Sequence, residues 1–171
     1  ASPTARERLQ ALRPDPAEVA LFLLSGGTTG LPKLIPRTHD DYVLNARLCG
    51  AAGGFNESTV LMAILPLGHN YNLASPGMLG AFYFGGTVVI AQGAGVDDVF
   101  ALVQRERVTV FCPPPTLLRA TGCADPARAL PDLRLLYVGG EALPRDVVEL
   151  WAPGRRLSNG YGPTECSVTA I

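Results

Sequence analysis

Charge is scarce in this chain. Asp, Glu, Lys and Arg make up 17% of its residues and the formal net charge is −1. No basic surface of the kind that follows a phosphate backbone can be built from so little, and nucleic acid is not expected as a partner. Histidine is rarer still. There are two, His39 and His69, and neither has a Cys or His close by, so zinc is not expected. The cysteines, Cys49, Cys112, Cys123 and Cys166, form no C-x-x-C pair. That pattern predicts reduced, mostly buried thiols and a cytoplasmic protein rather than a disulfide framework or a metal site. No apolar run reaches membrane-spanning length, no cleavable signal pattern is visible, and there is no internal repeat or low-complexity tract, so no membrane association is expected. What the chain does have is apolar material. At 47% of 171 residues it suffices for about one domain with a real core.

Against this background one stretch dominates. The apolar run Val19 to Leu24 has the composition of a buried strand. It leads into Ser25-Gly26-Gly27-Thr28-Thr29-Gly30, and Lys33 closes the loop. Glycines let backbone N–H groups converge, and Ser and Thr hydroxyls add donors without bulk. With one full cation added, the loop suits an anion carrying several oxygens, a triphosphate above all. It is not a Walker A loop, which needs Ser or Thr after the lysine; here Leu34 follows. The bland alternative is a Gly/Thr surface turn.

The rest of the chain alternates between strand and helix signals. A short helix is predicted from Ala5 to Leu12, with Ser2-Pro3 at its start. Leu34 to Arg37 reads as extended, and Thr38 with Asp41 three residues on as a helix cap. That helix runs to Gly53-Gly54. Strands are predicted over Thr59–Leu65, Thr87–Ala91, Val108–Cys112, Leu133–Val138 and up to Gly160, with a further strand entered from Cys166. Helices are predicted around Met78–Tyr83, over Val96–Arg107, from Thr116 to Ala120 and over Glu141–Trp151. This order implies an α/β fold in three layers, a mostly parallel sheet with helices on both faces. Ligands gather beyond the carboxyl ends of such strands. Five unusual turns should therefore meet in one site: the Ser25 loop, His69-Asn70, Pro113-Pro114-Pro115, Gly139-Gly140-Glu141 and Tyr161 to Glu165.

The string Ser25-Gly26-Gly27-Thr28-Thr29-Gly30-Leu31-Pro32-Lys33 closely resembles the phosphate-binding loop of the adenylate-forming superfamily. That family includes acyl- and aryl-CoA ligases, luciferases and the adenylation domains of nonribosomal peptide synthetases. There the loop grips the β- and γ-phosphates of ATP. Tyr161-Gly162-Pro163-Thr164-Glu165 resembles a second motif of the family. The resemblance implies Tyr161 against the adenine, Thr164 on the phosphate and Glu165 on Mg²⁺, and a hard carboxylate beside a hydroxyl suits that ion. Gly139-Gly140-Glu141-Ala142-Leu143 resembles a third, whose glycine pair lines the acyl pocket and approaches the adenine. ATP and Mg²⁺ are thus the implied cofactors. The implied ATP-binding set is Ser25, Gly26, Gly27, Thr28, Thr29, Gly30, Lys33, Gly140, Glu141, Tyr161, Gly162, Thr164 and Glu165, with Lys33, Thr164 and Glu165 catalytic. A strand-to-helix turn and a proline-containing β-turn with a solvated Glu are the alternatives for the last two motifs.

Substrate class is read from Pro66-Leu67-Gly68-His69-Asn70-Tyr71-Asn72-Leu73-Ala74-Ser75. Amino-acid-activating domains usually carry an Asp where this chain has Asn70. A neutral amide cannot balance a buried α-ammonium, which is costly to leave unpaired. His-Asn-Tyr with Ser five residues after the Asn resembles the aryl-acid enzymes, 2,3-dihydroxybenzoate–AMP ligase in particular, as does Leu34 to Tyr42. Carried over by position, the pocket is His69, Asn70, Tyr71, Ala74, Ser75, Cys112, Tyr137, Gly139, Gly160, Val168 and Thr169. The resemblance implies ATP-dependent activation of an aryl carboxylic acid, of the salicylate or 2,3-dihydroxybenzoate type, to its acyl-adenylate. Transfer to the phosphopantetheine thiol of an aryl or peptidyl carrier protein would follow, in siderophore or related secondary metabolism. Residues 1–171 would be the central part of the N-terminal core domain. The Asp that holds ribose, the hinge and the lysine-bearing C-terminal domain would belong to the remainder of the enzyme, so the isolated chain is expected to be inactive. Two motifs, Gly139 to Leu143 and Tyr161 to Glu165, look more like amino-acid-activating domains. An amino-acid adenylation domain and a non-catalytic binding or structural module therefore stand as alternatives.

Overall fold

Strands buried on both faces need apolar side chains at consecutive positions rather than at alternate ones. The segments around Met62, Phe111 and Leu136 meet that demand, and they form the centre of the molecule. The structure, a computed structural model, describes residues 4–25, 33–64, 66–91 and 95–166. The elements run α1 (Ala5–Ala11), β1 (Val19–Leu24), β2 (Leu34–Thr38), α2 (His39–Gly53), β3 (Val60–Ala63), α3 (Asn70–Ala74), α4 (Gly77–Tyr83), β4 (Thr87–Ile90), α5 (Val96–Arg105), β5 (Val110–Phe111), α6 (Pro115–Ala120), α7 (Pro126–Ala129), β6 (Leu135–Gly139), α8 (Arg145–Trp151) and β7 (Arg156–Gly160), followed by a 3₁₀ turn (Thr164–Cys166). Five strands pair in the order β4-β3-β5-β6-β7, all parallel.

The sheet is covered on both sides, as the alternation of elements predicts. On one face Met62, Phe111, Leu136 and Val138 pack against Val99 and Val103 of α5, Leu118 of α6, and Val147 and Trp151 of α8. On the other, Leu61, Ala63, Val110 and Leu135 meet Phe55, Tyr71 and Ala81. Neighbouring residues of one strand thus feed opposite cores. Trp151 is the largest fully buried side chain. Trp151→Ala is expected to lower unfolding free energy by about 3–5 kcal/mol, read as a lower urea midpoint at unchanged slope.

Several local expectations are corrected. Val19–Leu24 is a strand, but it lies outside the parallel sheet and pairs antiparallel with β2. Only Leu23 is buried, while Phe22 and Leu24 are 57% and 66% exposed, because a two-stranded hairpin has one face to pack. The first helix is capped by Thr4, in a capping box with Glu7, rather than at Ser2. Residues 141–144 are not helical and α8 begins at Arg145, with Pro144 as its N-cap. The residue before a proline is pushed out of the helical region, so no turn can be completed ahead of Pro144. Cys166 belongs to the 3₁₀ turn, and the rest of the strand expected to begin there lies outside the described residues. All four cysteines are free, and only Cys112 is buried, while Cys166 is exposed. Burial pushes the Cys112 thiol up to about 12, which makes it an inert packing group. Among the described residues no helix is long and apolar enough to cross a membrane.

Candidate active site

The parallel strands end on one edge, and the turns after them line a single cleft of about 670 Å³. His69 comes from the turn after β3, Pro114 from the turn after β5, Gly139 to Ala142 from the end of β6, and Asn159 to Thr164 from the end of β7. Four of the five expected turns therefore meet. The fifth follows β1, in the separate hairpin. Gly26, Gly27, Thr28, Thr29 and Gly30 of that loop lie outside the described residues, as do Val168 and Thr169. Its two ends are described, and they are pinned together. The Ser25 N–H donates to the Lys33 carbonyl at 3.0 Å, and the Lys33 N–H to Ser25 Oγ at 3.2 Å. The Lys33 side chain belongs to an exposed residue and does not line the cleft.

The floor of the cleft is bare backbone. Gly139 pairs with Gly160 across β6 and β7. A Cβ on Gly160 would sit 2.2 Å from the Tyr137 hydroxyl, and one on Gly139 would sit 2.8 Å from the Gly160 carbonyl. Both positions need glycine for close approach. Gly140 follows at φ +83°, a backbone conformation that side chains resist. Beside this floor stand Tyr161, 69% exposed, and Thr164. Glu165 is exposed next to them, just outside the lining. Glu141 is the one carboxylate of the lining, and it accepts from the Thr116 hydroxyl at 3.2 Å.

The residues expected from the sequence to face the acid divide. His69 and Tyr71 line the cleft. His69 caps α3 by accepting the Tyr71 N–H on Nδ1 at 3.2 Å, which leaves Nε2–H as its donor. The Tyr71 hydroxyl donates to the Tyr137 carbonyl at 2.5 Å, and the two rings stand 5.7 Å apart. Burial pushes the Tyr71 phenol well above its usual range, so it stays a neutral donor. Asn70, Ala74 and Ser75 lie behind this layer, all buried. Asn70 accepts from the Tyr42 hydroxyl on Oδ1, while its Nδ2 has no partner among the described residues. Burial raises the Tyr42 phenol to about 12, so this hydroxyl too remains protonated. Ser75 Oγ accepts from Asn45 Nδ2 at 2.9 Å, and the same amide reaches the Ala74 carbonyl at 2.9 Å. Tyr137 and Asn45 line a second cavity of about 320 Å³, and Cys112 is packed in the core beside Tyr71.

Sequence reasoning missed Asn159, which joins the lining only because of its place on β7. It also missed the partners that hold predicted residues: Tyr42 for Asn70, Asn45 for Ser75 and Thr116 for Glu141.

The donor set suits phosphate and magnesium. A cleft with backbone for a floor admits a flat base, and a Thr hydroxyl beside an exposed Glu offers one donor and one hard oxygen ligand. Magnesium takes few protein carboxylates and fills its octahedron with phosphate oxygens and water.

A cleft beyond the carboxyl ends of a parallel sheet is where α/β domains of this kind take up their ligands. The chain belongs to the AMP-binding enzyme family, which it matches over residues 2–171. It is 44% identical over 167 residues to a salicylyl-CoA synthase / salicylate adenylyltransferase of Streptomyces, covering 95% of this chain and 30% of that protein. With the 2,3-dihydroxybenzoate-AMP ligase of Bacillus subtilis it shares 44% identity over 126 residues, 72% of this chain and 23% of that one. Among solved structures, O-succinylbenzoate coenzyme A synthetase of Bacillus subtilis in complex with ATP and magnesium ion matches with a TM-score of 0.79 at 25% identity. That match covers 92% of this chain and 33% of that one. The chain spans less than a third of the length of these two curated relatives.

Proposed function

We propose that residues 1–171 are the central, nucleotide- and acid-facing part of the core of an aryl-acid adenylating enzyme. The observation that carries the substrate class is Asn70. It is a buried neutral amide whose carbonyl is taken by Tyr42 and whose NH₂ group is unpartnered among the described residues. An acceptor on the ring of the acid, such as a 2-hydroxyl oxygen, satisfies that donor; an α-ammonium does not. The relatives named for salicylate and 2,3-dihydroxybenzoate support the same class.

In the proposed reaction a carboxylate oxygen of the acid attacks the α-phosphorus of ATP in line. The bond from that phosphorus to the bridging oxygen breaks, and acyl-adenylate and pyrophosphate form. A carrier-protein thiol then displaces AMP. No covalent bond to the protein is needed, so the protein acts by positioning and charge. Lys33 and the loop from Ser25 to Gly30 hold the departing pyrophosphate. Tyr161 packs on the adenine, the glycine floor lets the base lie close, and the Thr164 hydroxyl donates to phosphate. His69 offers Nε2–H to the acid, and Tyr71 walls the ring. Glu165 would hold Mg²⁺, which when bound neutralises phosphate charge. The remainder of the enzyme supplies the ribose contact and the C-terminal lysine.

The test is acid-dependent exchange of labelled pyrophosphate into ATP by the full-length protein. Salicylate, 2,3-dihydroxybenzoate and a panel of α-amino acids are compared. Exchange with the hydroxybenzoates is expected. Exchange with an α-amino acid alone would assign the amino-acid reading instead, and exchange with none would remove both.

A further inference from the structure

Arg37 stands on β2, four residues after Lys33, and reaches across 128 positions of sequence. Its Nη1 donates to the backbone carbonyl of Glu165 at 3.1 Å. Its Nη2 donates to Asp41 Oδ1 at 2.6 Å, and its Nε approaches Asp41 Oδ2 to 2.6 Å in the same ion pair without a hydrogen bond. Asp41 is itself fixed at the start of α2, where its N–H donates to the capping Thr38 hydroxyl at 3.3 Å. The Arg37 side chain is 15% exposed. A guanidinium that gives one charge-assisted hydrogen bond to a carboxylate and another to a backbone carbonyl is held firmly in such a setting.

This linkage joins the two halves of the nucleotide site. Lys33 sits on the hairpin, which shares no strand pairing with the parallel sheet. Thr164 and Glu165 hang from the end of β7, the last strand of that sheet. We propose that Arg37 is a positioning residue that fixes the Thr164–Glu165 turn to the Lys33 hairpin, so that cation and carboxylate keep a set separation around the bound triphosphate. It does not act as a phosphate ligand. Its charge is met by Asp41, and both of its terminal nitrogens donate to protein oxygens. The role rests on the nucleotide reading given above, while the linkage itself stands on geometry alone.

Lysine keeps the charge but cannot fork between Asp41 and the Glu165 carbonyl. Two variants of the full-length protein, Arg37→Lys and Arg37→Ala, separate the possibilities. Loss of one charge-assisted hydrogen bond is expected to raise the KM for MgATP roughly ten- to hundredfold in both, and to raise the Mg²⁺ concentration needed for half-maximal rate. The KM for the acid is expected to stay within about twofold, because Asn70 and Tyr71 are held by other partners. Amide exchange at Cys166, whose N–H closes the turn on the Pro163 carbonyl at 3.0 Å, is expected to quicken in both variants. Recovery of the MgATP KM by Arg37→Lys would show that charge alone is at work and overturn the proposal. So would an equal rise in both KM values, or unchanged exchange at Cys166. If the wild type fails to activate any acid, the functional reading falls, and the exchange rate at Cys166 still decides whether Arg37 holds the turn.

Discussion

Asn70→Asp is expected to cost a 2-hydroxybenzoate about 2–5 kcal/mol of binding. The substitution is nearly isosteric, so packing around this buried position changes little. The Tyr42 hydroxyl that now donates to Oδ1 can donate equally well to a carboxylate. What changes is the other arm. The Nδ2 donor, unpartnered among the described residues, becomes a second acceptor with a negative charge, which would face the ring oxygen of the proposed acid and its lone pairs. An acid with an α-ammonium gains by the same exchange, since the new carboxylate can balance it. The measurement is kcat/KM for salicylate and for an α-amino acid panel in wild type and variant. A wild type that already prefers an amino acid, or a variant that keeps its hydroxybenzoate preference, would show that Asn70 does not choose the substrate.

Lys33→Ala and Glu165→Ala are each expected to lower adenylation in the full-length protein by roughly ten- to thousandfold, the scale for removing one electrostatic contact to a reacting phosphate. Both residues are exposed, and Glu165 contributes its backbone carbonyl, not its carboxylate, to the Arg37 linkage. Unfolding free energies should therefore stay within about 0.5 kcal/mol of wild type. Loss of rate with stability retained is the signature of a group that works on the nucleotide. Wild-type rates in either variant would remove that residue from the site.

What could be read from the sequence follows from which forces are local. The strands around Met62, Phe111 and Leu136 were legible because burial on both faces leaves an unbroken apolar run. The Thr38 cap was legible because it works within one turn. The strand-end turns stood out because glycine and proline mark them. Val19–Leu24 misled for the same reason that the others succeeded. Its composition matches a central strand, but its partner β2 carries Pro36 opposite Phe22, and proline lacks an N–H to donate to a further strand. The α7 turn, Pro126–Ala129, was missed because four residues are too few to show a period. The Arg37–Glu165 and Tyr42–Asn70 contacts span 128 and 28 positions, and no local rule pairs such residues. They arise only once the hairpin and α2 are laid against the sheet. The candidate side chains could thus be picked out by type and spacing, while the neighbours that hold them could not.

Whether this chain serves carboxylate attack on the α-phosphorus can be tested by isotope transfer. The full-length protein is given ATP, Mg²⁺, a phosphopantetheine thiol acceptor and salicylate carrying ¹⁸O in both carboxylate positions. The carboxylate oxygen that forms the bond to phosphorus stays with it when the thiol takes the acyl group. The AMP released should therefore carry one ¹⁸O atom per turnover, and the pyrophosphate none. AMP without label, or label in inorganic phosphate released together with ADP, would contradict the adenylation account.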